Sequence, residues 1–190
     1  LIIGENFKFG KDRSGDIEKL RKYNSKKAFE LIVPKFETHN GLKISSSRIR
    51  NLLNQGDIVG ARECLGRDYM LSGTVVSGEK LGRKLGYPTA NIRLEYDYPL
   101  DGVYLTRTVI EEKNYVGLAS LGNKPTFNGS EKILEVFILD FDEDIYSQNI
   151  EVYFLEEIRK QIKFSNEDEL IKQMNEDHKY AIINSKKYGI

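Results

Sequence analysis

Five segments rich in Val, Ile, Tyr and Phe follow one another from Tyr69 onward, and they limit most strongly the folds open to this chain. Glycine, proline, asparagine or aspartate separates them, at the spacing of strands in a small antiparallel barrel. The segments are YMLSGTVVSG, DGVYLTRTVI, NYVGLASLG, KILEVFILDF and NIEVYFLEEI. A helical pattern follows in SNEDELIKQMNEDHKYAIINSKKY, where Ser165 and Asp168 can form a capping box. We therefore predict an antiparallel barrel followed by one helix.

The residues before this barrel show a different pattern, in which apolar segments alternate with helical ones. LIIG and FELIVPKF are typical of strands, and GDIEKLRKYNSKKA is typical of a helix. In ISSSRIRNLLNQGDIVGARECLG, Gly56 ends one helical pattern and Asp57 can cap another. Strand, helix, strand, helix is the order of a parallel-sheet unit. We predict an α/β region over residues 1–66 and a second domain over residues 67–190.

Composition excludes several classes of function. The 29 basic and 29 acidic residues give a formal net charge of zero, which argues against a nucleic-acid binder. No apolar segment approaches the ~20 residues of a membrane helix, and no signal peptide is visible. The one cysteine, Cys64, leaves no internal disulfide and suits the reducing cytoplasm. Because the chain starts with Leu1 inside a strand-like segment, we expect that part of a longer protein precedes it.

The segment GEKLGRKLG, from Gly78 to Gly86, combines three glycines with basic residues. It is not a Walker A loop, which has four residues between its glycines and then Lys-Ser/Thr, whereas three residues separate Gly78 from Gly82. Consecutive backbone N–H groups in a glycine turn can still bind an anion, with Lys80 and Lys84 adding positive charge. A hairpin with solvated lysines fits the same composition.

Thr89 and Asn91 follow this loop in the segment YPTAN. They are two residues apart, so in an extended chain their side chains face the same side. Hydroxyl and amide oxygens are ligands that Mg²⁺ accepts, and Mg²⁺ needs only one or two protein ligands when substrate phosphates complete its shell. The pair is a candidate metal site, and local hydrogen bonds at a strand end are the alternative.

Glu135 is the only polar residue in the apolar run from Ile133 to Leu139. An ionised carboxylate among large apolar side chains is costly unless it is paired or its pKa rises. Such a carboxylate can act as a general base near neutral pH. A partly solvated strand face, or an ion pair with an arginine such as Arg159, would explain Glu135 without catalysis.

A serine-rich helix start in ISSSRIR is a candidate anion site. Free N–H groups and the helix dipole attract anions there, and arginine in the first turn is unfavourable for the dipole unless an anion is bound. The residues concerned are Ser46, Ser47, Arg48 and Arg50. Ordinary serine capping with exposed arginines is the alternative. His39 and His178 have no metal-ligand spacing around them, and we interpret both as surface residues.

Read in order, these segments resemble the bacterial bifunctional riboflavin kinase/FAD synthetase family. The matching blocks are GENFKFGKDRSGD, ISSSRIRNLLNQGDIVGARECLGRDY, GTVVSGEKLGRKLGYPTANI, DGVYLTRT, ASLGNKPTF, LEVFILDFDEDIY and IRKQIKFSNEDELIKQMNED. A glycine-basic loop followed by Pro-Thr-Ala-Asn is specific to flavokinases. The resemblance implies the carboxy-terminal two-thirds of such an enzyme. It would have the second half of a nucleotidylyltransferase-type α/β domain, then a six-stranded antiparallel Greek-key barrel with a carboxy-terminal helix.

The resemblance implies a riboflavin kinase, which transfers the γ-phosphoryl group of ATP to the ribityl 5′-hydroxyl of riboflavin and produces FMN and ADP. Glu135 would accept the hydroxyl proton, while Thr89 and Asn91 would hold Mg²⁺. The ATP-binding residues would be Gly78, Lys80, Gly82, Lys84, Gly86, Thr89 and Asn91. The flavin-binding residues would be Gly102, Val103, Tyr104, Asn123 and Arg159.

The same family carries an earlier Gly-x-Phe-Asp-Gly-x-His-x-Gly-His segment in its FMN adenylyltransferase domain, and nothing in this sequence matches it. Ser46, Ser47, Arg48 and Arg50 would form only part of that phosphate site, so we expect FAD synthetase activity to be absent or impaired. A barrel that binds flavin or nucleotide without catalysis is the alternative, against which Glu135 and its metal clamp argue. A third interpretation is a piece of a fully bifunctional enzyme. The expected partners are riboflavin, FMN and ATP/ADP, without nucleic acid or membrane, and the oligomeric state is not predicted.

Overall fold

The computed structural model of this protein describes residues 1–78, 81–126 and 129–190. Within those ranges it describes all side chains except those of residue 81, residues 123–126 and residues 129–132. The chain forms two compact units, Leu1–Ser45 and Ser46–Ile190. In the described part, no helix is long and apolar enough to cross a membrane.

The first unit contains one α-helix, α1 (Ile17–Tyr23), and one hairpin of two-residue strands. The side chain of Asp16 caps α1 by accepting a hydrogen bond from the backbone N–H of Lys19. The strands are β1 (Thr38–His39) and β2 (Leu42–Lys43). They meet through Asn40 and Gly41, whose positive φ angles of 52° and 73° suit a tight Asn-Gly hairpin turn.

The predicted strands LIIG and FELIVPKF are short in the structure. They meet at an isolated parallel bridge between Ile2 and Ile32, supported by a hydrogen bond of 3.1 Å from the Ile3 N–H to the Ile32 carbonyl. The parallel direction, with α1 between the two segments, agrees with the predicted β-α-β order. A strand lengthens only where a neighbour pairs with its N–H and C=O groups, and within this unit the pairing extends no further.

The second unit begins with two helices, α2 (Ser46–Asn54) and α3 (Ile58–Leu65). Gly56 turns the chain between them with a φ of 80°, and Asp57 caps α3 by accepting from the Gly60 N–H at 2.8 Å. Both features were predicted. Leu53 of α2 and Ile58 of α3 are buried in the same apolar cluster as the barrel interior.

Six antiparallel strands then form a closed barrel, as the sequence and the family resemblance predict. The strands are β3 (Tyr69–Val76), β4 (Thr89–Arg93), β5 (Gly102–Ile110), β6 (Lys113–Thr126), β7 (Gly129–Ile138) and β8 (Asn149–Arg159). Their order around the barrel is β3-β4-β7-β6-β5-β8, and β8 pairs with β3 to close it. Because β4 pairs with β7 rather than with β5, the connectivity is that of a Greek key.

Side chains alternate between the two faces of each strand, so the barrel has two apolar surfaces. Ile92, Tyr104, Leu134, Val136 and Phe154 are among the fully buried residues of the interior cluster. Leu105, Leu118, Leu139 and Leu155 form a second cluster on the outer surface, where they pack with Ala181. A short helix, α4 (Leu81–Lys84), lies between β3 and β4. Ala181 belongs to the carboxy-terminal helix α5 (Glu167–Ser185), so α5 covers part of the outer face.

The cap of α5 lies one residue later than predicted. Asn166, not Ser165, is the N-cap residue, and its side chain accepts from the Glu169 N–H at 2.9 Å. Glu169 accepts in return from the Ser165 N–H at 3.0 Å. This is a reciprocal capping arrangement of the predicted type, and the acidic residue that takes part is Glu169 instead of Asp168.

Candidate active site

Four polar side chains lie next to one another on three adjacent strands of the barrel. In the strand register, Asn91 of β4 is opposite Glu135 of β7, which is itself opposite Ser120 of β6. Thr89 lies two residues before Asn91, so its side chain is on the same face. Side chains in directly opposed positions are neighbours in a sheet. The register thus brings the predicted base and the predicted metal ligands together.

These four residues line a cavity of about 210 Å³ on the outer face of the barrel. The other side of the cavity is formed by Leu170, Met174 and Asp177 of α5. Apolar and aromatic side chains complete the wall, and they are Leu85, Tyr87, Val103, Leu118, Phe137 and Phe164. A concave, largely apolar site with a few convergent polar groups is typical of small-molecule binding.

Asn91 is held in place within this cavity. Its side chain is only 8% exposed, and its Nδ2 donates a hydrogen bond of 3.2 Å to the backbone carbonyl of Thr89. Because Nδ2 is the donor of this bond, Oδ1 is the atom of the amide that can act as a ligand or acceptor. The arrangement suits the predicted role of Asn91.

Arg159, at the end of β8, is paired with Asp177 of α5. Its Nη2 donates to Asp177 Oδ2 at 2.7 Å, and its Nε is 3.0 Å from each Asp177 oxygen. Asp177 is 4% exposed, and this pair joins the two walls of the cavity. The sequence pointed to Arg159 and not to Asp177, which is an acidic residue among several on a helix pattern.

Tyr87 connects the glycine-rich segment to α5. Its hydroxyl donates to Asn175 Oδ1 at 2.7 Å, and its ring packs edge-on against Phe137 and His178, with centroids 5.1 and 6.1 Å apart. Burial, with a smaller contribution from the negative charge of Asp177, raises the pKa of Tyr87. His178 is thus a half-buried packing residue rather than the surface residue expected from the sequence. Its position, four residues after Met174, places it on the same helix face.

The glycine-rich segment contains a short helix, α4 (Leu81–Lys84), whereas the sequence predicted a turn. Gly82 lies in this helix and lines the first cavity. A Cβ atom on Gly82 would collide with the Tyr87 carbonyl oxygen, and one on Gly78 would collide with the Asn91 amide. Gly86 has a φ of 84°, a conformation that favours glycine. Lys84 is exposed, and Lys80 lies outside the described residues.

Two further cavities adjoin the first. One of about 330 Å³ shares Thr89 with it and is lined also by Arg83, Pro88 and the segment 141–146. No local pattern in the sequence indicates a role for that segment, although FDEDIY is part of a block that resembles the family. Another cavity of about 440 Å³ shares Ser120, Glu135 and Gln161 with the first and reaches Asp101 and Lys163.

Gln161 lines both the first cavity and the cavity of about 440 Å³. Its Nε2 lies within hydrogen-bond distance of three acceptors: the Gly102 carbonyl at 3.2 Å, Ser120 Oγ at 3.0 Å and the Leu121 carbonyl at 3.1 Å. It therefore fixes Ser120 next to Glu135. Sequence reasoning missed Gln161 and Ser120, because neither stands out from ordinary polar residues on strands and loops.

Only some of the predicted flavin-binding residues lie at the first cavity. Val103 and Arg159 line the first cavity, and Gly102 contributes the carbonyl that accepts from Gln161. Tyr104 points instead into the barrel interior, where it is fully buried against Phe154 and accepts from the Asp101 N–H. Burial and, to a smaller extent, the charge of Glu157 raise its pKa. The side chain of Asn123 lies outside the described residues.

The predicted anion site on α2 is not part of these cavities. Ser46, Ser47 and Arg50 are exposed and Arg48 is partly buried, and other residues line the three cavities. Within the described ranges, no group of three His, Cys, Asp or Glu residues could hold a metal ion. Thr89 and Asn91 are the residues predicted to hold a cation here, and a hydroxyl and an amide oxygen completed by ligand phosphates are a kind of site that Mg²⁺ uses.

Two family models match this chain in sequence. The sequence model of the Flavokinase family, described as riboflavin kinase, matches residues 65–183. The chain belongs to the riboflavin kinase family. A second model, described as FAD synthetase, matches residues 1–48. The two matches follow the order of the two regions that the sequence predicted.

Members of the riboflavin kinase family with curated descriptions include close relatives of this chain. Bifunctional riboflavin kinase/FMN adenylyltransferase of Buchnera aphidicola subsp. Schizaphis graminum is 39% identical over 182 residues, and that of Haemophilus influenzae is 38% identical over 179 residues. Each alignment covers 93% of this chain and 58% of the relative. The chain thus spans less than two thirds of the length of these relatives.

A solved structure shares the fold. A crystal structure described as a macrolide-efflux protein from Streptococcus pneumoniae is 37% identical in sequence, with a TM-score of 0.80. The match covers 95% of this chain and 59% of that one. It therefore extends over both units of the chain.

Proposed function

We propose that this chain is a riboflavin kinase, which transfers the γ-phosphoryl group of ATP to the 5′-hydroxyl of riboflavin. The observation that supports this most strongly is the strand register that sets Thr89, Asn91 and Glu135 side by side where two cavities adjoin. A phosphoryl transfer needs a donor site, an acceptor site and a group between them that neutralises charge and removes a proton.

The first cavity is suited to the flavin. Its wall offers apolar and aromatic surface from Leu118 and Phe137 on the barrel, from Tyr87 just before β4, and from Leu170 and Met174 on α5. This surface matches a flat, largely apolar ring system. Glu135 and Ser120 line the same cavity, and they would meet the polar ribityl chain. We place the 5′-hydroxyl next to Glu135.

The second cavity is suited to ATP. Arg83 brings positive charge toward phosphates, and Tyr146, Phe141 and Pro88 offer surface for a purine ring. Carboxylates at positions 142–144 can accept hydrogen bonds from an adenine amino group. Because Thr89 lines both cavities, the γ-phosphoryl group would lie beside it, within reach of the flavin hydroxyl.

In the transfer step, the Glu135 carboxylate accepts the proton of the 5′-hydroxyl as that oxygen forms a bond to the γ-phosphorus. The bond from this phosphorus to the β–γ bridging oxygen breaks, and ADP leaves. Thr89 and Asn91 would hold Mg²⁺, which supplies neutralisation of the phosphate charges when it is bound. The protein contributes position and a base and forms no covalent bond to the substrate.

A barrel that only binds flavin or nucleotide is less well supported. A binding module has no need for a carboxylate beside two ligands for a cation, and the register keeps all three together. The Ser46, Ser47, Arg48 and Arg50 group on α2 is proposed as part of an adenylyltransferase phosphate site. We propose that residues 1–190 alone have little or no FAD synthetase activity, because the family's earlier ATP-binding segment has no match in this sequence.

The domain boundary also remains a proposal, at residues 66/67. The riboflavin kinase match begins at residue 65, which supports it, although α2 and α3 pack in the same compact unit as the barrel. The buried free thiol of Cys64 suits a reducing compartment, and we propose the cytoplasm.

Product analysis tests the proposed function directly. Purified protein is incubated with riboflavin and ATP, with MgCl₂ or with EDTA, and flavins and nucleotides are separated by chromatography. We expect equal amounts of FMN and ADP with MgCl₂ and neither with EDTA. Riboflavin binding without any FMN would favour the binding module instead. In a parallel reaction with FMN and ATP, formation of FAD at rates comparable to FMN formation would contradict the proposed loss of the second activity.

A further inference from the structure

The Arg159–Asp177 pair is more completely hydrogen-bonded than a simple ion pair. Both Asp177 oxygens accept from Arg159, at distances of 2.7 to 3.0 Å, and Oδ1 also accepts from Gln173 Nε2 at 3.0 Å. Asp177 is 4% exposed. Burying a carboxylate to this degree is costly unless it is paired and hydrogen-bonded in this way.

These contacts fix the direction of the whole guanidinium group. The guanidinium has five N–H bonds. The one on Nε and one of the two on Nη2 point to Asp177, and one of the two on Nη1 points to the Lys160 carbonyl at 3.2 Å. Because the guanidinium is planar and rigid, the directions of the two remaining N–H bonds are fixed as well. Arg159 lines the first cavity, so these two donors are the ones that a bound molecule can use.

The charge of Arg159 is compensated within the protein. Asp177 supplies one negative charge in direct contact with the guanidinium, so the pair offers hydrogen-bond donors with little net positive charge. Such donors suit a neutral acceptor, for example a ring carbonyl oxygen. The triphosphate of ATP carries several negative charges, and the second cavity offers it Arg83, a cation that is not part of the Arg159–Asp177 pair.

We propose that Asp177 is a positioning residue that directs Arg159 to a neutral carbonyl acceptor on the flavin ring and withholds it from the phosphates of ATP. This inference rests on the proposed riboflavin kinase function. Gln173 orients Asp177 from one turn earlier on α5. The helix would therefore take part in flavin recognition through a polar chain, Gln173 to Asp177 to Arg159, in addition to the apolar contacts of Leu170 and Met174.

The test is the Asp177→Asn variant, in which riboflavin and ATP are varied separately in steady-state kinetics. Loss of the carboxylate removes the fixed direction and the compensating charge. We expect the KM for riboflavin to rise about tenfold, while the KM for ATP stays within about twofold. Riboflavin affinity measured by flavin fluorescence, without turnover, should fall by the same factor. A rise in the KM for ATP with an unchanged KM for riboflavin would overturn the proposal.

A milder variant and a control complete the experiment. Gln173→Leu leaves Asp177 and Arg159 in place and should raise the KM for riboflavin about threefold, so it tests the proposal even where Asp177→Asn folds poorly. Glu176→Gln removes an exposed carboxylate from the same helix and should change neither KM. A merely structural Asp177 would lower the unfolding temperature of the variant and leave riboflavin affinity unchanged, and that result would contradict the inference.

The outcome also distinguishes this inference from the proposed function. A wild-type protein that forms no FMN would contradict the kinase, and the fluorescence titration would still test Asp177. An active wild type with normal riboflavin affinity in Asp177→Asn would contradict only the role of Asp177.

Discussion

The two walls of the first cavity are built by different kinds of interaction. The strand wall consists of Thr89, Asn91, Ser120 and Glu135 on three adjacent strands, where backbone hydrogen bonds in a continuous register fix each position. The helix wall consists of Leu170, Met174 and Asp177 on α5, which side-chain contacts hold to the barrel. The groups that we propose to act together in one chemical step, Thr89, Asn91 and Glu135, therefore lie on the wall whose positions the strand register sets. The helix wall supplies apolar and polar side chains that are suited to selecting the bound molecule.

The Glu135→Gln variant should have the largest effect of any single change to the strand wall. Gln has the same shape and cannot accept the hydroxyl proton as a carboxylate does, so kcat should fall by about 10²- to 10⁴-fold. Riboflavin binding, measured by fluorescence, should stay within about threefold. Glu112→Gln in the exposed β5–β6 turn is the matched control. A near-normal kcat for Glu135→Gln would remove Glu135 from the mechanism.

The strand wall depends on the barrel core behind it, which alkaline pH should weaken. Burial raises the pKa of Tyr69 to about 12 and also raises that of Tyr104, and both rings pack against Phe154. In the unfolded chain tyrosine loses its proton near pH 10, so the unfolded state binds fewer protons between pH 10 and pH 12.

The free energy of unfolding should therefore be steady below pH 10 and fall as the pH rises from 10 toward 12. Urea unfolding at pH 8, 10 and 11 measures this dependence. Tyr69→Phe should reduce the slope. A free energy of unfolding that rises above pH 10 would show that these two rings do not govern the alkaline behaviour of the core.

Thr89→Val tests the part of the strand wall that faces both cavities. Valine keeps the shape of threonine and removes the hydroxyl oxygen, so the KM for ATP should rise about tenfold at limiting Mg²⁺. Higher Mg²⁺ should recover part of the loss. Thr74→Val, on the exposed face of β3, makes the same chemical change away from the cavities and should leave kinetics unchanged. Equal effects from both variants would argue against a role for the Thr89 hydroxyl.

Tyr87→Phe should produce the smallest effect, and it concerns the helix wall. The change removes the hydrogen bond to Asn175 and keeps the ring that packs on Phe137 and His178. The free energy of unfolding should fall by about 1 kcal/mol, with kcat nearly unchanged. Tyr96→Phe, at a side chain that is 69% exposed, is the control for losing a tyrosine hydroxyl. A loss of kcat comparable to that of Glu135→Gln would show that the helix wall also takes part in the chemical step.

Several elements of the fold could be predicted from local sequence. The long strands β5, β6, β7 and β8 are visible as apolar and aromatic segments between turn residues, and the helix pattern of α5 is equally clear. Strand β4, with five residues, is too short for its periodicity to identify it, and the family resemblance supplied the sixth strand. The strands predicted at LIIG and FELIVPKF in the first unit are reduced to the single Ile2–Ile32 bridge. Strand propensity in the sequence does not ensure that a pairing partner lies beside the segment.

The sequence indicated the candidate site through three separate features: the glycine-basic loop, the Thr89 and Asn91 pair, and Glu135. Thr89 and Asn91 share a face because they are two residues apart on a strand, and Glu135 is conspicuous as a carboxylate in an apolar run. Their proximity follows from the pairing of β4 with β7, which no local pattern reveals. Asp177, Gln161 and Ser120 were missed for the same reason, since each is an unremarkable polar residue until its partner is known.

The sequence by itself determined the composition of this protein's parts: an α/β segment, a set of barrel strands, one carboxy-terminal helix, and a glycine-basic loop leading into Pro-Thr-Ala-Asn. These features depend on neighbours within a few residues along the chain, where periodicity and turn chemistry act. The tertiary structure alone decided that Asn91 lies opposite Glu135, that α5 forms the second wall, and that Arg159 is paired with Asp177. Such contacts join residues far apart in sequence, and they are set by strand register and by packing of the barrel as a whole.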